Sequence, residues 1–175
     1  MGILDVKSIS KHITYQEVIY SYTAKKYNIP NDPNEDQLKR IIELAENVFE
    51  PLRENFKVPI YISSFFRSKE LNKKTNGATG SQHLAERGAA MDIDADMYGK
   101  ITNTDIFNYI KDNLEFDQLI AEHKGDSGPA WVHVSYNKGK NRKQTLIATK
   151  DAISGKQIYL PYSLSLFTEI YGKQD

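Results

Sequence analysis

A chain of 175 residues can bury one hydrophobic core, and with 39% hydrophobic residues, 26% charged residues and no low-complexity stretch it is neither disordered nor fibrous. Lys+Arg and Asp+Glu both number 23, so no long-range field draws it to nucleic acid or an anionic membrane, and no stretch approaches the ~20 apolar residues of a bilayer span. The absence of cysteine excludes disulfides, thiolate metal sites and a cysteine nucleophile, which leaves any metal to His and carboxylate ligands.

The opening MGILDVKSISKHITYQ has no apolar segment after a basic start, so no export signal is expected in the sequence. A first helix is predicted from Tyr15 to Tyr27, ending before NIPNDPN, where Pro30 and Pro33 deny helical continuation. A second opens with Asp32 as N-cap, Pro33 at the first helical position and Glu35 three residues after the cap. Its residues Leu38, Ile41, Ile42, Ala45, Val48, Phe49 and Leu52 fall on one core-facing stripe, and Pro51 is expected to kink or end it.

VPIYISS alternates and is β-branched, as a strand is, and runs into the polar loop FFRSKELNKKTNGATGSQH, in which SKELNKK forms a short helix. In GAAMDIDAD, Ala90, Asp92 and Asp94 share one strand face, and Ala89, Met91 and Ile93 the other. A helix from Asp105 to Leu114 turns Ile106, Phe107, Ile110 and Leu114 inward. Strands FDQLIAE, WVHVSYN and KQTLIAT follow, separated by the turns GDSGP and NKGKN. Helices first and closely connected strands later predict an α+β fold, an antiparallel sheet packed against helices. Residues 1–150 form the expected domain, with 151–175 a C-terminal extension whose IYLPYSLSLF packs on that domain or binds a partner.

A three-ligand metal site must draw on His12, His83, His123 and His133 and on nearby carboxylates. His133 projects from WVHVSY on the face of Trp131 and Ser135. His83 ends the polar loop, and Asp92 stands on a strand face made small by Ala90. Zinc with two imidazoles and one carboxylate keeps a fourth position for water, whose pKa falls to about 7, and this is hydrolytic chemistry. On pattern alone, a structural, hydrogen-bonded role for the strand histidine stays open.

Together, SSFFRSKELNKKTNGATGSQH, GAAMDID, FDQLIAE and WVHVS resemble the conserved blocks of the zinc D-Ala-D-Ala carboxypeptidase family, to which phage and bacterial peptidoglycan peptidases belong. The resemblance runs from about Thr14 to Ala148, and its specific part is the ordered occurrence of Arg-Ser after a strand, SQH, G-x-A-x-D-I and W-V-H. It implies the fold shared with the hedgehog signalling domain and one Zn2+ per chain on His83, Asp92 and His133. Asp92 lies nine residues after His83, a longer spacing than the family's usual one, as if AER or its neighbours carry an insertion; Asp94 is the fallback ligand.

The resemblance also implies that Arg67 binds substrate and steadies the oxyanion, and that Ser81 and Gln82 bind substrate or orient a ligand. Where some members place an acid three positions before the last His, this chain has Ala130, so Glu122 at the end of FDQLIAE is the expected general base. Asp117 is expected to be structural, Trp131 to pack in the core, His123 to point away from Glu122, and His12 to lie on the surface. The implied reaction is zinc-dependent amide hydrolysis in peptidoglycan stem or cross-link peptides containing D-amino acids. The expected protein is a monomer with no nucleic-acid or membrane partner, of the kind used in phage lysis or carried in a virion. The rival reading is a non-catalytic zinc-containing module of the same fold that binds peptidoglycan or serves as a phage structural part.

Overall fold

The N-terminal helices are set by their caps. In this computed structural model, which describes residues 7–172, Thr14 and Glu17 form a reciprocal capping box at the start of α1 (Tyr15–Ile19). Residues 1–6 of the N-terminal segment and 173–175 of the C-terminal extension lie outside the described residues. The single helix expected over 15–27 is two, because Tyr20 is extended and Ser21 caps a new helix, α2 (Tyr22–Tyr27). The cap of α3 (Glu35–Leu44) is Asn34, paired reciprocally with Gln37, and Asp32 instead accepts from the Tyr15 hydroxyl at 3.2 Å.

Pro51 does not end the helix. A π turn at Ala45–Phe49 widens it just before the proline, and α4 (Glu50–Phe56) continues to Lys57, which is left-handed. The stripe read from the sequence faces inward, with Ile41, Ala45, Val48 and Leu52 fully excluded from solvent.

After β1 (Tyr61–Ser64), α5 (Lys69–Lys74) is capped by Ser68. Then come β2 (Ala89–Asp94), α6 (Asn103–Asn113), β3 (Gln118–Lys124), β4 (Pro129–Tyr136), β5 (Gln144–Lys150), β6 (Gln157–Pro161) and α7 (Leu164–Tyr171). They build one six-stranded sheet in the order β1-β2-β4-β3-β5-β6 against the helices, the α+β architecture expected. The sheet is mixed, not wholly antiparallel: the chain leaving β4 crosses β3, so that β5 lies parallel to β3 on its other side, and the other four neighbouring pairs are antiparallel. No helix among the described residues is long and apolar enough to cross a membrane.

Strand alternation gives the sheet two unlike faces. Met91, Ile93, Leu119, Ala121, Val132, Val134 and Ile147 point to the helices and are fully buried, in one core with Ile106, Phe107 and Ile110 of α6 and Phe167 and Tyr171 of α7. At ~1.5–3 kcal/mol for each large apolar side chain, this face supplies much of the driving force for folding. Residues after Lys150 contribute to the same structure, β6 as the edge strand beside β5 and α7 through Tyr171, whose hydroxyl donates to the Ala121 carbonyl at 3.1 Å. The opposite face carries, in register across four strands, Asp92, His133, Ile120 and Leu146.

Candidate active site

The loop after β1 is built as a support. Phe65 and Phe66 are buried, and the buried Asn31 donates to the Ile19 and Phe66 carbonyls (2.8 and 3.1 Å) while accepting from the Ser68 N–H at 2.7 Å. Arg67, held between them, donates its backbone N–H to the His83 carbonyl at 2.9 Å. Its side chain donates through Nε to Ser64 Oγ (3.1 Å) and through Nη2 to Asp92 Oδ2 (3.0 Å). The guanidinium is thus fixed in the cleft before any substrate arrives.

His83 sits on a single helical turn, Gln82–Leu84, begun by Ser81, whose Oγ accepts from the His83 N–H. Its Nδ1 lies 2.6 Å from the Phe65 carbonyl; a carbonyl only accepts, so the proton is on Nδ1 and the Nε2 lone pair faces Asp92 Oδ1 at 3.3 Å. His133 Nδ1 is 2.8 Å from the same oxygen, and the two imidazoles meet edge to face at 5.1 Å. One ligand atom from each of His83, Asp92 and His133 lies within 4.8 Å of the others.

Burial lowers the His83 pKa despite the attraction of Asp92, which keeps the ring neutral. Burial works against ionisation of Asp92 too, but the two imidazoles outweigh it and hold the carboxyl well below its usual range. A neutral His83 nitrogen, an ionised Asp92 oxygen and a His133 ring nitrogen brought this close form a set that could hold a cation. Two imidazoles and a carboxylate are zinc-type ligands. Asp94 is not part of this group: it accepts from Asn103 Nδ2 and the Asp96 N–H, both at 3.0 Å.

The stretch between His83 and Asp92 is pinned to its neighbours on both sides. Leu84 and Ala85 carbonyls are held by Gln37 and Arg40 of α3 (2.9 and 3.1 Å), Ala85 is left-handed, and Gly88 enters β2 at φ +110°. A Cβ on Gly88 would stand 2.6 Å from the Tyr136 carbonyl oxygen, so only glycine lets the loop approach β4.

The trio floors a cleft of about 860 Å³ on the sheet's open face, lined also by Arg67, Ser81 and Gln82. Glu122 lines it one step along β3 from Ile120, opposite Trp131 on β4. Burial pushes its carboxyl up to about 7; nearby His133 opposes this and Asp92 adds to it. Asp117 has the structural task expected, accepting from Arg142 Nε (2.8 Å) and Nη2 (2.7 Å).

Three readings from the sequence change. Trp131 lines the cleft instead of packing in the core, on the face its alternation with His133 had indicated. His123 does not point away from Glu122: a left-handed backbone (φ +52°) breaks the alternation, sets its ring 5.0 Å from that of Trp131 and brings it into the lining. His12 is half-buried, its Nδ1 2.6 Å from Glu50. Gln157 and Tyr159 of β6 complete one wall, Gln157 donating to the Tyr159 hydroxyl at 2.6 Å. Their strand was not foreseen, because it is recognised only by its pairing with β5.

The family profile described as Peptidase M15 matches residues 11–135. The chain belongs to this family, that of the zinc D-Ala-D-Ala carboxypeptidase-like peptidases. All seven residues singled out for this M15 peptidase, Arg67, Ser81, Gln82, His83, Asp92, Glu122 and His133, fall inside the match, whereas β5, β6 and α7 lie beyond it. No curated protein matches the chain.

Proposed function

We propose that this M15 peptidase hydrolyses peptide bonds in peptidoglycan stem or cross-link peptides, using one zinc ion held by His83, Asp92 and His133. The observation that carries the reading is the convergence of two imidazole nitrogens and an ionised carboxylate on the floor of an open cleft. Zinc in such a site supplies Lewis acidity and a nucleophile available at neutral pH.

The chain's own groups do the rest. Glu122, whose carboxyl titrates near neutrality, takes a proton from the attacking water and delivers it to the leaving amine nitrogen. Arg67 is anchored through Nε and Nη2, and its guanidinium edge donates to the oxyanion that develops on the scissile carbonyl. Ser81 and Gln82 border the peptide backbone, and Ile120, Leu146, Trp131 and Tyr159 give the apolar walls that exclude water.

The test is digestion of purified peptidoglycan and synthetic stem peptides, with the products identified by mass spectrometry. Cleavage that stops on chelation and returns with zinc is expected. Wall binding without cleavage, unaffected by chelation, would make this a binding module.

A further inference from the structure

The cleft is electrically polarised along the strands. Its middle row is Asp92, His133, Ile120 and Leu146. Towards the Trp131 end the lining is Glu122, His123, Gln157 and Tyr159, with no lysine or arginine. Towards the Tyr136 end stand Arg87, Lys140 and Arg142. Asp117 is the carboxylate of that end, and it is taken up by Arg142. Arg87 and Lys140 are exposed and form no ion pair among the described residues.

These two cations belong together structurally. Gly88, next to Arg87, packs against the Tyr136 carbonyl and the Asn137 side chain, and the turn from Asn137 closes by the Lys140 N–H donating to the Asn137 carbonyl at 2.8 Å. Arg87 lies between His83 and Asp92, on the loop that ends at Gly88, and there it lines the cleft rim.

We propose that the Arg87–Lys140 end is a subsite for a carboxylate carried by the substrate on the amino-terminal side of the cut bond. The proposal rests on the peptidase reading, in which Glu122 serves the leaving amine and therefore marks the carboxy-terminal side. A carboxylate immediately after the cut bond would lie at the Glu122 end, where no free cation lines the cleft. The three strand residues from His133 to Tyr136 span about 10 Å at ~3.3 Å each, which puts the recognised carboxylate two or three residues before the bond. The substrate class is an acidic peptide cut internally, such as a stem peptide whose γ-linked D-Glu keeps its free α-carboxylate.

The probe is L-Ala-γ-D-Glu-L-Lys-D-Ala-D-Ala against the same peptide with that α-carboxylate amidated. Binding is measured by calorimetry at low ionic strength on the zinc-loaded full chain carrying Glu122→Gln. The carboxylate peptide should bind roughly five- to tenfold more tightly, and Arg87→Gln/Lys140→Gln should bring the ratio to about one. Both side chains are exposed, and thermal melting verifies that the double variant is folded. Equal binding of the two peptides, binding of neither, or a ratio that survives the double substitution would overturn the subsite. Turnover by the unsubstituted chain is scored separately: a charge-dependent binding ratio without cleavage refutes the peptidase reading and, with it, the placement on the amino-terminal side, and leaves only a carboxylate-binding site at Arg87 and Lys140.

Discussion

His133 and Val134 are neighbours on β4, yet one points into the cleft and the other into the core. The same contrast separates Asp92 from Met91 and Ile93, and Glu122 from Ala121. Along each central strand, odd and even positions answer to different demands. One set is apolar, closely packed and responsible for stability. The other lines the cleft and carries its polar groups, Asp92, His133 and Glu122 among them.

Substituting one residue from each face tests whether their roles are separate. His133→Ala should abolish zinc retention and lower hydrolysis by roughly a thousandfold or more while the metal-free protein stays folded. Mass spectrometry of the intact protein, a peptide-cleavage assay and circular dichroism report the three quantities. Leu119→Ala, on the inner face, should cost about 2–5 kcal/mol in denaturant unfolding and leave the activity of the folded fraction near normal. An activity loss from Leu119→Ala as large as that from His133→Ala would show that the faces are not separable.

Glu122 lies on the cleft face and works against folding. Its carboxyl is raised to about 7 by burial, so the unfolded chain ionises first; stability is full below the unfolded value and falls as pH rises towards 7. Glu122→Gln should reduce hydrolysis by about 10²–10⁴-fold and remove the acid limb of the rate profile, which in the parent lies at or below pH 7. The same substitution should raise the melting temperature of the metal-free protein at pH 8 and have no such effect below pH 4. A lower melting point at pH 8 would mean that the carboxylate is stabilised in place. The smallest effect is expected at the loop that joins the two halves of the site: Gly88→Ala should cost about 1–3 kcal/mol, because its Cβ meets the Tyr136 carbonyl.

Strand parity explains why so much of the site was readable in the sequence. Once GAAMDID and WVHVSY are strands, alternation puts His133 and Trp131 on one face; turning the apolar Met91, Ile93, Val132 and Val134 to the core puts Asp92 on it too, and the polar loop ending at His83 supplies the third donor. The misreadings have local causes. Asp32 and Asn34 are both competent caps, and Asn34 won because Gln37 reciprocates. Ser21 restarts a helix that its apolar spacing alone would continue. At His123 a single positive φ defeats alternation, and residue type gave no sign of it. The parallel pairing of β3 with β5 and the docking of β6 and α7 depend on partners distant in the chain, which periodicity does not encode.

The position of β6 carries a consequence for how the enzyme comes into being on the ribosome. His83, Asp92 and His133 have all been synthesised by the time β4 is made, but Gln157 and Tyr159, which wall the cleft, and Tyr171, which ties α7 to the strand of Glu122, come last. A nascent chain therefore holds the His83, Asp92 and His133 trio before the β6 wall of the cleft exists.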